Sequence, residues 1–288
     1  MTDINNRRLP VGIQSFKTIR EDGYLYVDKS DIVWELVNNG KKYSYLSRPR
    51  RFGKSVLVDT LQTYLEGRKD MFEGLKIMQL EKDWKQYPVI RLDMSRGGAN
   101  AETIRSYLDI RFGEYEELYC ITPKPTAMLA DRFDAIIKTA YKKTGLKVAI
   151  LVDEYDSPLQ HSWHTTEHEA CTAVYREVFA ILKADDEMEC FVFITGITKF
   201  TQISLFSVLN NLSNISFEPQ YATICGISKQ EMVDNFMPEI EQMAEYNKWT
   251  VEETLANLKD YYDGYHFCDT NMIDVYNPFS LVNALNQK

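Results

Sequence analysis

None of the five cysteines (Cys120, Cys171, Cys190, Cys225 and Cys268) stands in a CxxC pair, and their number is odd. That distribution fits reduced thiols and argues against a disulfide framework. Apolar runs are short: the longest, such as Val148 to Val152, are strand-sized, against the roughly 20 residues a membrane-crossing helix needs. The opening MTDINNRRLP lacks an apolar h-region, so no secretory signal is expected. Positive charge is scarce as well. With 33 Lys+Arg against 42 Asp+Glu the formal net charge is -9, and no overall basic field exists to hold a nucleic-acid backbone or an anionic membrane. A soluble, cytoplasmic chain without membrane contact is expected, and nucleic-acid binding is not supported.

What is present is the balance of a folded protein, 44% hydrophobic and 26% charged residues in 288, long enough for about two domains. The charge is uneven: Gly226 to Lys288 carries 4 basic and 11 acidic residues, leaving 29 and 31 for the rest. Short β-rich runs alternate with longer amphipathic stretches, which predicts an α/β fold with parallel strands and helical crossovers. Strands are expected at Tyr43–Ser47, Pro88–Met94, Lys147–Asp153, Glu189–Thr195 and Tyr221–Cys225. VAILVD and CFVFIT are nearly all apolar, as strands covered on both faces are. Helices are expected at Ser30–Asn39, Lys54–Leu65, Ala101–Leu118, Thr126–Thr144, Glu167–Ala184 and Ile203–Leu209. After Cys225 the strand signal stops, and Lys229–Phe236, Glu239–Asn247 and Val251–Tyr262 read as helices. Ser228 with Glu231, and Thr250 with Glu253, have capping-box spacing. The chain thus divides into 1–225 and a helical unit at 226–288.

The segment LSRPRRFGKSVLVDTL places Gly53-Lys54-Ser55 between a β-rich run and a helix, the setting of a phosphate-binding loop. A glycine lets backbone N–H groups wrap a phosphate, a lysine reaches the β/γ oxygens, and a hydroxyl holds Mg²⁺. The first glycine of G-x-x-x-x-G-K-[ST] is replaced by Arg48. In compensation, Arg48, Arg50, Arg51 and Lys54 gather positive charge, so Arg48 and Arg50 through Val56, Phe52 included, are the candidate nucleotide-binding residues. GKS taken alone fits a basic solvated turn better than a nucleotide loop. About one hundred residues on, KVAILVDEYDSPL supplies the partner motif: Asp153 closes an apolar strand where Mg²⁺ would sit, and Glu154 follows to polarise water. Asp156 adds a third acid. In CFVFITGITKF, Thr195 ends a strand where it could sense a γ-phosphate and Lys199 could stabilise transferring charge; an ordinary βα loop explains both equally well.

LSRPRRFGKS, ILVDEYDSPL, TGITKFTQISLFSVLNNL, YYDGYHF and VYNPFSL, with LPVGIQSF and YLYVDKSDIV near the start, resemble the bacterial family called predicted AAA-ATPase or AAA-ATPase-like, related to STAND-type P-loop ATPases. The resemblance runs from about Leu9 to Leu285. It implies a three-layer α/β/α core with sheet order 5-1-4-3-2, a C-terminal helical lid, and ATP with Mg²⁺ as ligands. It also implies, in many members, a following PD-(D/E)XK nuclease-like domain. The sequence ends at Lys288 without room for one, so nuclease activity is not expected of it.

Other features have simpler explanations beside their functional ones. His161, His164 and His168 lie at helical spacing with Glu167 and could hold zinc, but a solvated helix start accounts for them. Tyr24 or Tyr26 could stack on a base with Lys29 near the ribose or phosphates, while Asp28 or Ser30 as a helix cap explains the same polar residues. From Gly226 onward only Lys229, Lys248, Lys259 and Lys288 are basic, which leaves no lid arginine. The expected activity is Mg²⁺-dependent ATP hydrolysis driving a switch, with Lys54, Glu154, Thr195 and Lys199 as catalytic groups and Ser55 and Asp153 on the metal. The alternatives are a nucleotide-gated scaffold with little turnover, acting on a protein partner or nuclease-like domain, and a small-molecule kinase.

Overall fold

The computed structural model describes residues 7–38, 41–197, 212–262, 264–268, 270 and 273–286. Among these residues, β1 (Tyr43–Ser47), β2 (Val89–Asp93), β3 (Val148–Asp153), β4 (Glu189–Gly196) and β5 (Ser213–Asn214) form a parallel sheet in the order 2-3-4-1-5. Read from the other edge this is the expected 5-1-4-3-2.

The strands are apolar on both sides because both sides are covered. Tyr43, Tyr45, Ile90, Leu92, Val148, Ile150, Val152, Val192 and Ile194 face one hydrophobic core. That core is closed by α5 (Ala101–Leu118), α6 (Leu129–Thr144), α8 (His168–Phe179) and α9 (Ile181–Ala184). Residues of opposite parity, including Leu46, Ala149, Leu151, Phe191 and Phe193, face a second core. It is closed by α1 (Phe16–Glu21), α2 (Ser30–Asn38), α3 (Lys54–Leu65) and α4 (Ile77–Leu80). Side chains alternate along a strand, so Asp153 and Thr195 lie on the α3 side. The short α7 (Ser157–Ser162) follows β3 directly.

The fifth strand is not where the sequence suggested. Tyr221–Cys225 holds no strand: Pro219–Tyr221 is a 3₁₀ turn, and Tyr221, Ile224 and Cys225 are buried as core without pairing. The edge position belongs to Ser213–Asn214, extended by Ile215 N–H donating to the Tyr45 carbonyl at 2.9 Å. Two polar residues leave no apolar run to detect. The expected helix Glu167–Ala184 is interrupted at Ala180, Thr126–Thr144 begins only at Leu129, and Ile203–Leu209 lies outside the described residues.

The C-terminal part also differs. β6 (Ile227–Ser228), β7 (Tyr265–His266) and β8 (Asp274–Tyr276) form an antiparallel sheet in the order 6-8-7, too short for a period-two signal. The two helices expected around Pro238 are one, α10 (Lys229–Asn247). Proline removes one N–H, but Met232, Phe236, Ile240 and Ala244 recur every fourth residue across it and stay buried, so packing carries the helix through. The Ser228–Glu231 capping box starts α10, and the Thr250–Glu253 pair starts α11 (Val251–Tyr262), as expected. With α12 (Pro278–Asn286) these helices close a third core that also takes Leu9, Val11, Leu25 and Val27 from the N-terminal segment.

Candidate nucleotide site

Asp93 and Asp153 stand at the carboxyl ends of β2 and β3, where parallel sheets present their ligands. β1 leads into the loop at 48–53, and α3 begins at Lys54 with Gly53 at its N-cap in the left-handed region (φ 86°). A side chain there would be strained. No side-chain cap satisfies this helix start among the described residues, and its first turn carries no acid. Its leading N–H groups and the helix dipole are thus available to an anion.

Lys54 is 4% exposed. Its ammonium donates to the carbonyls of Arg48 and Pro49, both at 3.1 Å. Those carbonyls occupy its donors within the loop, as phosphate oxygens could. Lys54, Ser55 and Glu154 line one cavity of about 770 Å³ with Arg50, Arg51, Phe52, Gly53 and Val56. Ser95, Ser157 and His161 also line it, as do Gln14, Lys29 and Thr60, and much of the remaining wall is apolar, from the N-terminal segment and the C-terminal helices.

Next to Glu154 in the chain, the metal candidate is held in place. Asp153 is 2% exposed, and the Thr195 hydroxyl donates to its Oδ1 at 2.6 Å. The same hydroxyl accepts from the Glu154 N–H at 3.1 Å. Glu154 itself sits at φ 48°, a region non-glycine residues rarely occupy and which clusters at working sites. Burial pushes its carboxyl above the ordinary range, the Lys54 charge pulls it back, and Asp153, Asp93 and Asp156 push it up further. Lys54, Asp153 and Glu154 therefore act within one electrostatic neighbourhood. Asp93 opposes Asp153 across the β2–β3 register. Its place at the end of a β-rich run is the sequence signal that marks it.

Arg48 does not join this set. Its guanidinium, in a residue 1% exposed, donates to the carbonyls of Ser47, Ser216 and Tyr221 at 2.8–2.9 Å and stacks 4.0 Å over the Phe267 ring. Burial lowers its pKa to about 10. The arginine in the first-glycine position is a buried strut, not a phosphate ligand in this geometry. Phe52 is likewise an anchor, edge-on to Tyr265 at 4.6 Å and Phe267 at 5.5 Å. Asp156 is buried, its Oδ2 accepting from the Ile197 N–H at 2.9 Å. Thr195 is fully buried and committed to Asp153, a positioning contact. Lys199 lies outside the described residues.

Tyr26 and Lys29 line the cavity and Tyr24 is not among the described lining residues; Tyr24 lies instead beside Arg8. Asp28 caps α2 through the Ser30 N–H at 2.9 Å. His168 bonds Ser162 and packs on Trp163. No group of three or more His, Cys, Asp or Glu suited to a metal ion occurs among the described residues, so the zinc reading of the histidine run gains nothing there. Magnesium asks less, one or two hard oxygens completed by phosphate and water, and a serine hydroxyl and a carboxylate are donors of that type.

Among the described residues no helix is long and apolar enough to cross a membrane. Over 97% of its length the chain is 33% identical to the uncharacterized protein in the vnfD 5′ region of Azotobacter chroococcum mcd 1, and it spans 52% of that relative's length. The family model for predicted AAA-ATPases matches residues 10–206, a span that includes the Gly53–Ser55 loop and the Asp153–Glu154 motif. This chain, with its five-stranded P-loop-type α/β/α core, belongs to the predicted AAA-ATPase-like family of nucleotide-binding, ATPase-like modules.

Proposed function

We propose that the chain binds Mg²⁺-ATP in the cavity at the start of α3 and hydrolyses it, using the cycle as a conformational switch. One observation carries the reading: Lys54, Ser55 and Glu154 line a single cavity, and Asp153, next to Glu154 in the chain, is buried and bonded to Thr195. Lys54 and the α3 N-terminus would hold the β/γ-phosphates, and Ser55 with Asp153 would hold Mg²⁺. The metal would supply charge neutralisation at the transferring phosphoryl group. Glu154, its proton affinity raised by burial and neighbouring acids, would orient and deprotonate water. Thr195 would keep Asp153 and the Glu154 backbone in register. The apolar wall would take the base, with residues 1–225 as ATPase core and 226–288 as the unit that responds.

The test compares wild type with Lys54→Ala and Glu154→Gln, measuring ATP affinity by calorimetry and steady-state phosphate release with Mg²⁺ or EDTA. Lys54→Ala is expected to abolish binding. Glu154→Gln is expected to keep binding and lose release by about 10²–10⁴-fold, the contribution of a general base. Binding without release in wild type would replace the enzyme with a scaffold. Failure to bind either ATP or GTP with Mg²⁺ would remove both readings.

A further inference from the structure

A polyphosphate in this cavity must draw its countercharge from the core. Among the described residues, the cavity lining from Gly226 onward consists of Gly226, Ile227, Phe236, Pro278, Phe279 and Val282, none of them charged. On the core side the lining carries Lys29, Arg50, Arg51 and Lys54.

Two of these four cations are already engaged by the C-terminal helices. Lys29, 8% exposed, donates to Glu231 of α10 at 2.5 Å. Glu231 is fixed there because its carboxylate also accepts from the Ser228 N–H at 2.8 Å and hydroxyl at 2.9 Å. Arg51, at φ 67° in the loop itself, lies 4.4 Å over the ring of Phe279 of α12. Beside it, the Asn277 amide reaches the Arg50 carbonyl at 3.5 Å.

We infer that bound polyphosphate and the C-terminal helices compete for Lys29 and Arg51. The inference rests on the nucleotide reading of the cavity and gives the switch a sign opposite to a lid that tightens over its ligand. A phosphate that recruits either cation must take it from Glu231 or from Phe279, so binding loosens α10 and α12. Coupling free energies are reciprocal, so docked C-terminal helices weaken nucleotide binding by the same factor.

Two variants test this in the full chain. Glu231→Gln removes the charge held by Lys29 yet can still close the capping box. Phe279→Leu keeps an apolar wall but removes the ring face under Arg51. Each is expected to tighten the Mg²⁺-ATP dissociation constant by about three- to tenfold, the range of such contacts, and Phe279→Leu should do nothing further once Arg51→Ala is present. Independently of any variant, hydrogen exchange in α10 and α12 of wild type should accelerate when Mg²⁺-ATP is added. Unchanged or weaker affinity in both variants, or exchange slowed by ATP, overturns the competition while leaving the nucleotide site standing. No binding by wild type and variants alike removes the nucleotide reading itself.

Discussion

Arg48 and Lys54 are six residues apart and carry the same charge, yet packing gives them different work. Arg48 satisfies three carbonyls inside the core, and removing a partner from buried acceptors costs more than the bond itself contributes. Arg48→Met is therefore expected to lower stability by about 2–4 kcal/mol, read by urea denaturation, whereas Lys54→Ala should cost binding and little stability. Nothing in the string RPRRFGK separates a buried arginine from a phosphate-facing one. Thr195 is the complementary case: its position at a strand end was legible, its bond to Asp153 was not. Thr195→Val keeps shape and deletes that donor, so the Mg²⁺ concentration for half-maximal ATP binding should rise about ten- to a hundredfold, as losses behind a metal ligand do. An unchanged Mg²⁺ requirement would detach Thr195 from the metal.

Among the elements, those with strong periodicity or full burial were readable: β1, α3, α5 and α11 fall on the bounds expected of them. The failures share a cause. β5, β6, β7 and β8 run to two or three residues, and pairing partners distant in sequence define them. Turns after the strands depend on two glycines, Gly53 for its backbone freedom and Gly196 for its lack of a side chain. Gly53 needs its positive φ with open space around it, so Gly53→Ala is expected to cost about 1–2 kcal/mol from strain alone and to weaken ATP binding. At Gly196 a Cβ would come 2.6 Å from the Tyr155 ring and 2.9 Å from the Asp156 carboxylate. Gly196→Ala should displace the turn after β3, seen as lost phosphate release with a lowered melting temperature.

For the whole molecule, stability should depend on pH through the far end of the sheet. Burial pushes the Glu189 carboxyl up to about 7 although the Tyr43 hydroxyl donates to it at 2.6 Å, and Asp185 is pushed up to about 6. Between their ordinary carboxylate values and these raised ones, the native state holds protons that the unfolded chain releases. Stability therefore falls as pH rises through that window and levels off above about 7. Glu189→Gln should flatten the slope, gaining at most about 3 kcal/mol at pH 8 relative to pH 4.5, measured by urea melts across the range. A wild-type profile that rises from pH 5 to 8 would contradict this assignment. The docking of the C-terminal helices is also a whole-molecule property, since Lys29 meets Glu231 across 202 positions of sequence.

By itself the sequence determined the alternation of strand and helix, the sheet order through its family motifs, and the three residue types that phosphate, metal and water chemistry require. Those depend on local periodicity and on chemistry carried by individual side chains. Only the tertiary structure decided which arginine is buried, that Thr195 bonds Asp153, and that Lys29 and Arg51 are shared between the cavity and the C-terminal helices. These are contacts between residues far apart along the chain, and the burial that sets their strength exists only once the layers have closed.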